Sequence, residues 1–334
     1  MDWSKGFSAS YYMALIDRVT WRDIGRLEIT GGSIDRETSG LMQSADVDCV
    51  DFPEGGERYV RIYLDVRQAG DGAHVPLFTG LATTPEDEYN GSRKKNTVQC
   101  YSVLKEADDV LLPLGYYVQA GINAGSIIRR LFSGISAPVA IAEKPPALSD
   151  TIVADNAETY LSMVQKVIAA INWRIRITGA GVIHVEPIPT ETAATFDPLG
   201  NDCIETEISV SHDWFNCPNV FRAINDTLTA IARDEDASSP FSIENRGREI
   251  WLQDTACELA DNESIAEYAA RRLREEQQTA VSASYRRRFM PDIMPGDVVF
   301  LKYPKQGLNG RYRVTSQSID LGYGATTSEE VENE

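Results

Sequence analysis

Tyr59-Val60-Arg61-Ile62-Tyr63-Leu64-Asp65-Val66 is the stretch on which the fold turns. Valine, isoleucine, leucine and valine fall on every second position, with tyrosine, arginine and aspartate between them, so one side of an extended chain is apolar throughout. The same alternation appears in Leu27-Glu28-Ile29 and in Ala45-Asp46-Val47-Asp48-Cys49-Val50. Between these runs stand Gly31-Gly32, Pro53-Glu54-Gly55-Gly56, Gly70-Asp71-Gly72 and Asn90-Gly91-Ser92, residues that favour tight turns. With Val75–Ala82 and Asn96–Val103 added, the region from Trp21 to Tyr101 predicts about six short antiparallel strands in a sandwich or barrel.

Beyond Ser102 the period changes. Val103, Leu104, Ala107, Val110 and Leu111 recur at helical spacing until Pro113 and Gly115, and a second short helix is expected over Ala124–Phe132, capped by Asn123 and stopped at Gly134. A proline-rich connection follows between Ser136 and Ser149. The clearest helix spans Asn156–Ile171, with Tyr160, Leu161, Val164, Val167, Ile168 and Ile171 on one side and Asp155 and Glu158 as a capping box. It runs into Trp173-Arg174-Ile175-Arg176-Ile177, the turn Gly179-Ala180-Gly181 and Val182-Ile183-His184-Val185, the pattern of a hairpin. Helix and hairpin together read as a small α/β unit.

Strands are expected again at Cys203–Val210, Val220–Asp226, Thr227–Ala232 and Ile243–Trp251, then an amphipathic helix over Glu263–Gln278. Ala280–Tyr285, Asp297–Lys302 and Gly310–Ile319 close the pattern as strands, with Pro295-Gly296-Asp297 turning the chain into the second of them. Thr326–Glu334 is acidic and reads as a frayed tail. No short strict repeat is present, which excludes a propeller or solenoid.

The 334 residues carry 32 lysines and arginines against 50 aspartates and glutamates, a formal charge of −18, with 43% hydrophobic residues. Such a chain buries a substantial core but offers no broad basic groove for nucleic acid. Cys49, Cys100, Cys203, Cys217 and Cys257 are odd in number and form no CxxC pair, so they read as reduced and buried. The N-terminal apolar run is too short for a secretory core, and no window reaches the roughly 20 apolar residues of a membrane-spanning helix. Synthesis and folding in a cytoplasm are the expectation.

Chemistry-bearing motifs are sparse, and no catalytic, cofactor-binding or metal-binding residue is assigned. His74, His184 and His212 are the histidines, and only His212-Asp213 sets one beside an acid. Zinc or acid–base work would need further ligands, and there is no HExxH and no cysteine pair. Satisfied rings in ordinary structural positions are expected. Glu205 with Glu207 shares one side of a strand, Asp234-Glu235-Asp236 lies in a polar loop, and Glu143 precedes Pro145. A wall hydrolase would need two carboxyls facing one cleft with one kept protonated by apolar surroundings, and these read instead as solvated acids. Gly179-Ala180-Gly181 lacks the setting of a dinucleotide fingerprint. Arg286-Arg287-Arg288, beside Tyr285 and Phe289, is the densest basic cluster, suited to a neighbouring subunit, to DNA or to guarding a strand edge. A carbohydrate-binding adhesion module would need exposed aromatic platforms. Trp214-Phe215 and Tyr116-Tyr117 are the candidates, and core or interface anchoring suits both better.

Three places resemble the hub proteins of bacteriophage baseplates, the trimeric hubs of T-even, Mu-like and prophage tails and of related contractile injection systems. The first is Leu27-Glu28-Ile29-Thr30-Gly31-Gly32-Ser33-Ile34-Asp35-Arg36-Glu37, followed by Ser44-Ala45-Asp46-Val47-Asp48 and Leu77-Phe78-Thr79-Gly80. The second is the middle helix entering Asn172-Trp173-Arg174-Ile175. The third joins Glu263-Ser264-Ile265-Ala266-Glu267-Tyr268-Ala269 to Met290-Pro291-Asp292-Ile293-Met294-Pro295-Gly296-Asp297-Val298-Val299 and Tyr312-Arg313-Val314-Thr315-Ser316-Gln317-Ser318-Ile319.

The resemblance implies a mainly β fold with an α/β insertion. A tail-tube-like β-barrel would occupy 1–105, the helix-and-hairpin domain 106–195, and a second tube-like barrel 196–334 with the amphipathic helix and the acidic C-terminal tail. It implies a homotrimer in the virion tail, assembled in the host cytoplasm without a cofactor. Its neighbours would be the tail tube or distal tail protein, the spike or tip protein and the tape-measure protein. DNA would pass through without specific binding, past a lumen whose carboxylates repel it.

Overall fold

Side chains that alternate between oil and water build most of this molecule, and the strands are longer and more numerous than the sequence suggests. The structure, a computed structural model, describes residues 1–90, 93–200, 203–212, 214–225, 228–255, 257, 263–278, 281–322 and 324–334. Parts of the Asn90-Gly91-Ser92 turn, of the His212-Asp213 pair and of the strand ends at Asp226, Thr227 and Ala280 lie outside the described residues.

The first region holds β1 (Ser8–Ile16), β2 (Asp23–Glu37), β3 (Gln43–Val50), β4 (Arg58–Gln68), β5 (Asp71–Asn90) and β6 (Arg93–Ser102). Their antiparallel pairings run β1-β4-β5-β6-β3-β2 and return from β2 to β1, a closed circuit. Inside it Met13, Ile34, Val47, Ile62, Leu64 and Phe78 are almost wholly buried. Burying each such side chain contributes roughly 1.5–3 kcal/mol. The opening strand β1 is not expected from the sequence, where its tyrosines blur the alternation.

The middle region contains α1 (Lys105–Asp108), β7 (Tyr117–Val118), α2 (Ala124–Leu131), β8 (Val139–Ile141), β9 (Ile152–Val153), α3 (Tyr160–Ala170), β10 (Trp173–Ile177) and β11 (Ile183–Pro187). The expected helix after Ser102 is a single turn. Asn123 caps α2 as expected, accepting from Ser126 N at 3.2 Å. The cap of α3 is Thr159, which accepts from Ser162 N at 3.1 Å, and not Asp155, so the helix starts later than predicted. Glu158 does reach back to Asp155 N at 2.7 Å, half of the expected box.

The β10–β11 hairpin is wedged against the first region. A Cβ on Gly179 would stand 1.8 Å from Pro76 O, so only glycine admits this approach. Around it Thr79 Oγ1 donates to Gly179 O (2.7 Å), and both Trp21 Nε1 and Arg61 Nη2 donate to Ala180 O (3.1 Å each). On the other side Arg174 pairs with Asp297 at 2.9 Å, tying the hairpin to the C-terminal region.

That last region comprises β12 (Thr192–Phe196), β13 (Ile204–His212), β14 (Val220–Asn225), β15 (Leu228–Arg233), α4 (Ile243–Arg246), β16 (Trp251–Asp254), α5 (Ile265–Gln278), β17 (Val281–Arg288), β18 (Val298–Tyr303), β19 (Leu308–Asp320) and β20 (Thr326–Asn333). Six of these strands form an open run, β12-β18-β19-β20-β17-β13. Strands β14, β15 and β16 make a separate sheet on which α5 packs, and its buried layer contains Phe221, Ala223, Tyr268, Ala269 and Leu273. The strand expected over Ile243–Trp251 is instead a helical turn started by the Ser242 cap, with β16 beginning only at Trp251.

The acidic tail is not frayed. It is β20, held between β17 and β19, with Glu329 and Val331 buried. Alternation was present in Thr327, Glu329 and Val331, but a glutamate in an inward position concealed it.

The two strand systems join where β2 pairs with β19, Ser33–Glu37 against Ser316–Asp320. Both strands change partner along their length: β2 leaves β1 after Glu28, and β19 leaves β18 after Arg313. At the change in β2 the register slips, and Gly32 adopts φ +135°, where a Cβ would meet Asp46 O at 2.2 Å.

Candidate functional site

The β2–β19 junction makes one sheet of eight strands, β13-β17-β20-β19-β2-β3-β6-β5, with every neighbouring pair antiparallel. Its two sides differ sharply. Toward the interior point Ile34, Val47, Val98, Val314, Ile319 and Val331.

The other side is polar across the full width. Registered pairs place Ser209 beside Ser284, Ser284 beside Glu330, Glu330 beside Ser316 and Ser316 beside Glu37. The row below runs Ser318, Asp35 and Ser44, and beyond it Asp46 faces Gln99 and Thr97 faces Glu86. Hydroxyls and carboxylates dominate, with Arg286 and Lys95 among them. Lys95 is held by Asp48 at 2.9 Å, and Thr97 donates to the same carboxylate at 2.7 Å. Partial burial, and then the charge of Glu330, hold the Glu332 carboxyl above its ordinary range.

Both margins of this sheet are open. Among the described residues β13 pairs only with β17, and β5 beyond Ala82 pairs only with β6.

Beneath the polar side, at the junction, lies a buried charged network. Arg287 donates to both oxygens of Glu329, at 2.8 and 2.5 Å, with side chains 1% and 0% exposed. Gln317 donates to Glu329 Oε1 (2.5 Å) and to Ile293 O (2.8 Å), while Arg36 donates to Leu77 O (2.5 Å). Burial, reinforced by the charge of Arg287, lowers the Arg36 guanidinium to about 10.

The Arg286-Arg287-Arg288 cluster is therefore split by strand alternation. Arg286 stands on the polar face, Arg287 is buried with Glu329, and Arg288 donates to Ser4 O at 2.8 Å. Glu205 and Glu207 do share a side, lining a shallow groove with Ser209, Ser284, Arg286 and Ser328. Both carboxyls are exposed, and Tyr285 completes the lining of the groove.

The remaining candidates do not converge. Asp234 accepts from Ser239 Oγ (2.6 Å) and Gln277 Nε2 (2.9 Å), Asp236 caps Ser238, and Glu143 is exposed. His74 is stacked on Tyr63 (4.3 Å), with Nδ1 2.5 Å from Asp65 and Nε2 3.1 Å from the Tyr12 hydroxyl, a satisfied ring as expected. His184 lies in β11, its pKa lowered by burial and then by Arg176. His212 meets Trp214 edge-on. No group of three potential metal ligands occurs among the described residues, and all five cysteines are buried. Trp214 and Phe215 are exposed and so are not core anchors.

No protein-family model matches the sequence, and no curated protein matches it. Solved structures do. A tail protein from Neisseria meningitidis MC58 superimposes with a TM-score of 0.71 at 12% identity, covering 99% of this chain and 97% of that one. The 43 kDa tail protein of prophage MuSo2 from Shewanella oneidensis gives 0.70 at 14% identity over 97% and 96%. Prophage tail protein gp18 from Listeria monocytogenes EGD-e gives 0.56 at 11% over 99% and 95%. At these identities the likeness is one of fold, and it extends over whole chains: this polypeptide has the mainly β fold of prophage tail proteins, the kind its hub-like sequence pattern implied.

Proposed function

We propose that the chain is a structural subunit of a phage tail or phage-like injection device, a hub that closes into a ring of three around a channel. The observation that carries this reading is the eight-stranded sheet with one hydroxyl-and-carboxylate face and two unpaired margins. An even number of alternating strands leaves β13 and the far half of β5 running in opposite directions. The β5 margin of one copy therefore offers an antiparallel partner to the β13 margin of the next, and a rotation that closes the ring leaves no edge exposed. The polar face then lines the channel, where carboxylates repel passing DNA phosphates and hydroxyls give no strong hold.

On this reading the closed circuit and the open run on either side of the β2–β19 junction serve as two tube-like barrels, 1–105 and 196–334, the second left open in the single chain, with the α/β unit 106–195 between them. Three copies of two barrels present six similar units, suited to a hexameric tail tube or distal tail protein on one side and a trimeric spike or tip on the other, with the tape-measure end inside. The protein acts in the virion by assembly and catalyses nothing.

Light scattering of the full chain tests this. The expected mass is that of a trimer, favoured by added salt because screening weakens repulsion between acidic faces. Neighbouring residues of a strand alternate which margin their N–H faces, so of Ser209→Pro and Val210→Pro one removes an outward donor only. That variant should stay folded and monomeric. A wild-type chain that remains a monomer at high concentration and ignores purified tail tubes would refute the hub.

A further inference from the structure

The small β15-β14-β16 sheet is covered by α5 on one side only. Its other side presents Arg222, Ile231, Arg233 and Trp251, with Ile231 50% and Trp251 45% exposed. The Arg222 and Arg233 guanidinium groups lie 5.8 and 5.5 Å from the centre of the Trp251 ring, and Trp251 Nε1 donates to Glu249 at 2.8 Å. Glu249 neutralises Arg233, whereas Arg222 is paired with the neutral amide of Gln253 and with no carboxylate among the described residues. Arg248 lies over Phe215, itself 74% exposed. This is an apolar surface with surplus positive charge, on a chain of net charge −18.

A second uncovered apolar patch lies in the middle region. Tyr117 and Val153 are cross-strand partners on β7 and β9, about equally exposed, and Leu111 and Leu114 are exposed near them in the chain. The flanking residues are Asp108, Asp109 and Asp150. Among the described residues Lys105 is the one cation paired with Asp108 and Asp109, and Asp150 accepts from Ser149, so these three carboxylates outnumber their paired cation.

We propose that these two surfaces meet between copies, the Trp251 face of one chain seating on the Tyr117–Val153 patch of a second. Opposite surplus charge sets the pairing, and burying both apolar faces drives it. The contact is head-to-tail, which a closed ring requires and a twofold dimer does not permit. It rests on the ring reading above and adds where the copies touch outside the channel.

Two measurements on the full chain separate this contact from the ring. In the first, chains carrying Ile231→Cys are mixed with chains carrying Leu114→Cys and treated with a short bismaleimide, the native cysteines being buried. The expected product is a mixed cross-linked pair, absent when either chain is treated alone. In the second, mass is followed for Arg222→Glu with Arg248→Glu, for Asp109→Arg with Asp150→Arg, and for all four together. Each pair of reversals should weaken association about tenfold or more, and the fourfold variant should regain most of it. A trimer that gives no mixed cross-link and ignores the reversals overturns this contact and leaves the ring standing. A mixed cross-link without a trimer supports the contact and sinks the ring. Neither product overturns both.

Discussion

The first six strands close on themselves, whereas the C-terminal six do not, although both systems use the same succession of antiparallel neighbours around their long strands β2 and β19. In the first, β1 and β4 pair along nine residues and seal an interior that is mainly apolar, with Arg36 and Asn96 as buried polar exceptions. In the second, β12 and β13 stay apart, β12 runs parallel to β18, and the buried layer contains an Arg287–Glu329 pair. The difference teaches where the fold can tolerate charge. A closed ring of strands is fixed by oil, and an open one needs directional bonds to hold its register beside the junction.

The largest effect should come from Glu329→Ala, which strands a fully buried guanidinium. A loss of about 3–5 kcal/mol is expected from denaturant titration, while a joint Arg287→Met, Glu329→Leu change costs far less. Equal losses from the single and joint changes would break the contrast between the two systems. Next, Leu64→Ala in the closed circuit should cost about 2–5 kcal/mol by leaving a cavity.

Gly179→Ala should follow at about 1–3 kcal/mol, since its methyl group collides with Pro76 O and pushes the hairpin off the first region. Gly134→Ala, with nothing within 4 Å of the added methyl group, is the control. The smallest effect is electrostatic. Burial opposes ionisation of Glu186, yet hydrogen bonds from Arg176 and Arg174 bring its pKa to about 2. A lowered carboxyl contributes stability above its unfolded value near 4.5, and this is lost as pH falls toward 2. Glu186→Gln should therefore flatten acid unfolding across that window and leave the pH 8 to pH 6 span unchanged.

Much of this architecture was legible in residues alone. Period two in Tyr59–Val66, the glycine turn after Ile177 and the Asn123 cap of α2 all act within a few residues, so local pattern suffices. What escaped depends on distant partners. Glu329 reads as solvent-facing until Arg287 arrives from another strand, and the Arg286–Arg288 run reads as one patch until alternation divides it. The polar face was equally hidden: Ser44, Ser316 and Ser284 lie far apart in sequence and become one surface only through the β2–β19 pairing.

Hydrogen exchange of the assembled chain against the proline-blocked monomer tests the central claim most directly. The outward amides of Ile204–His212 and of residues 83–90 should slow together on assembly. Exchange at those two margins as fast in the assembly as in the monomer would contradict closure of the sheet between copies.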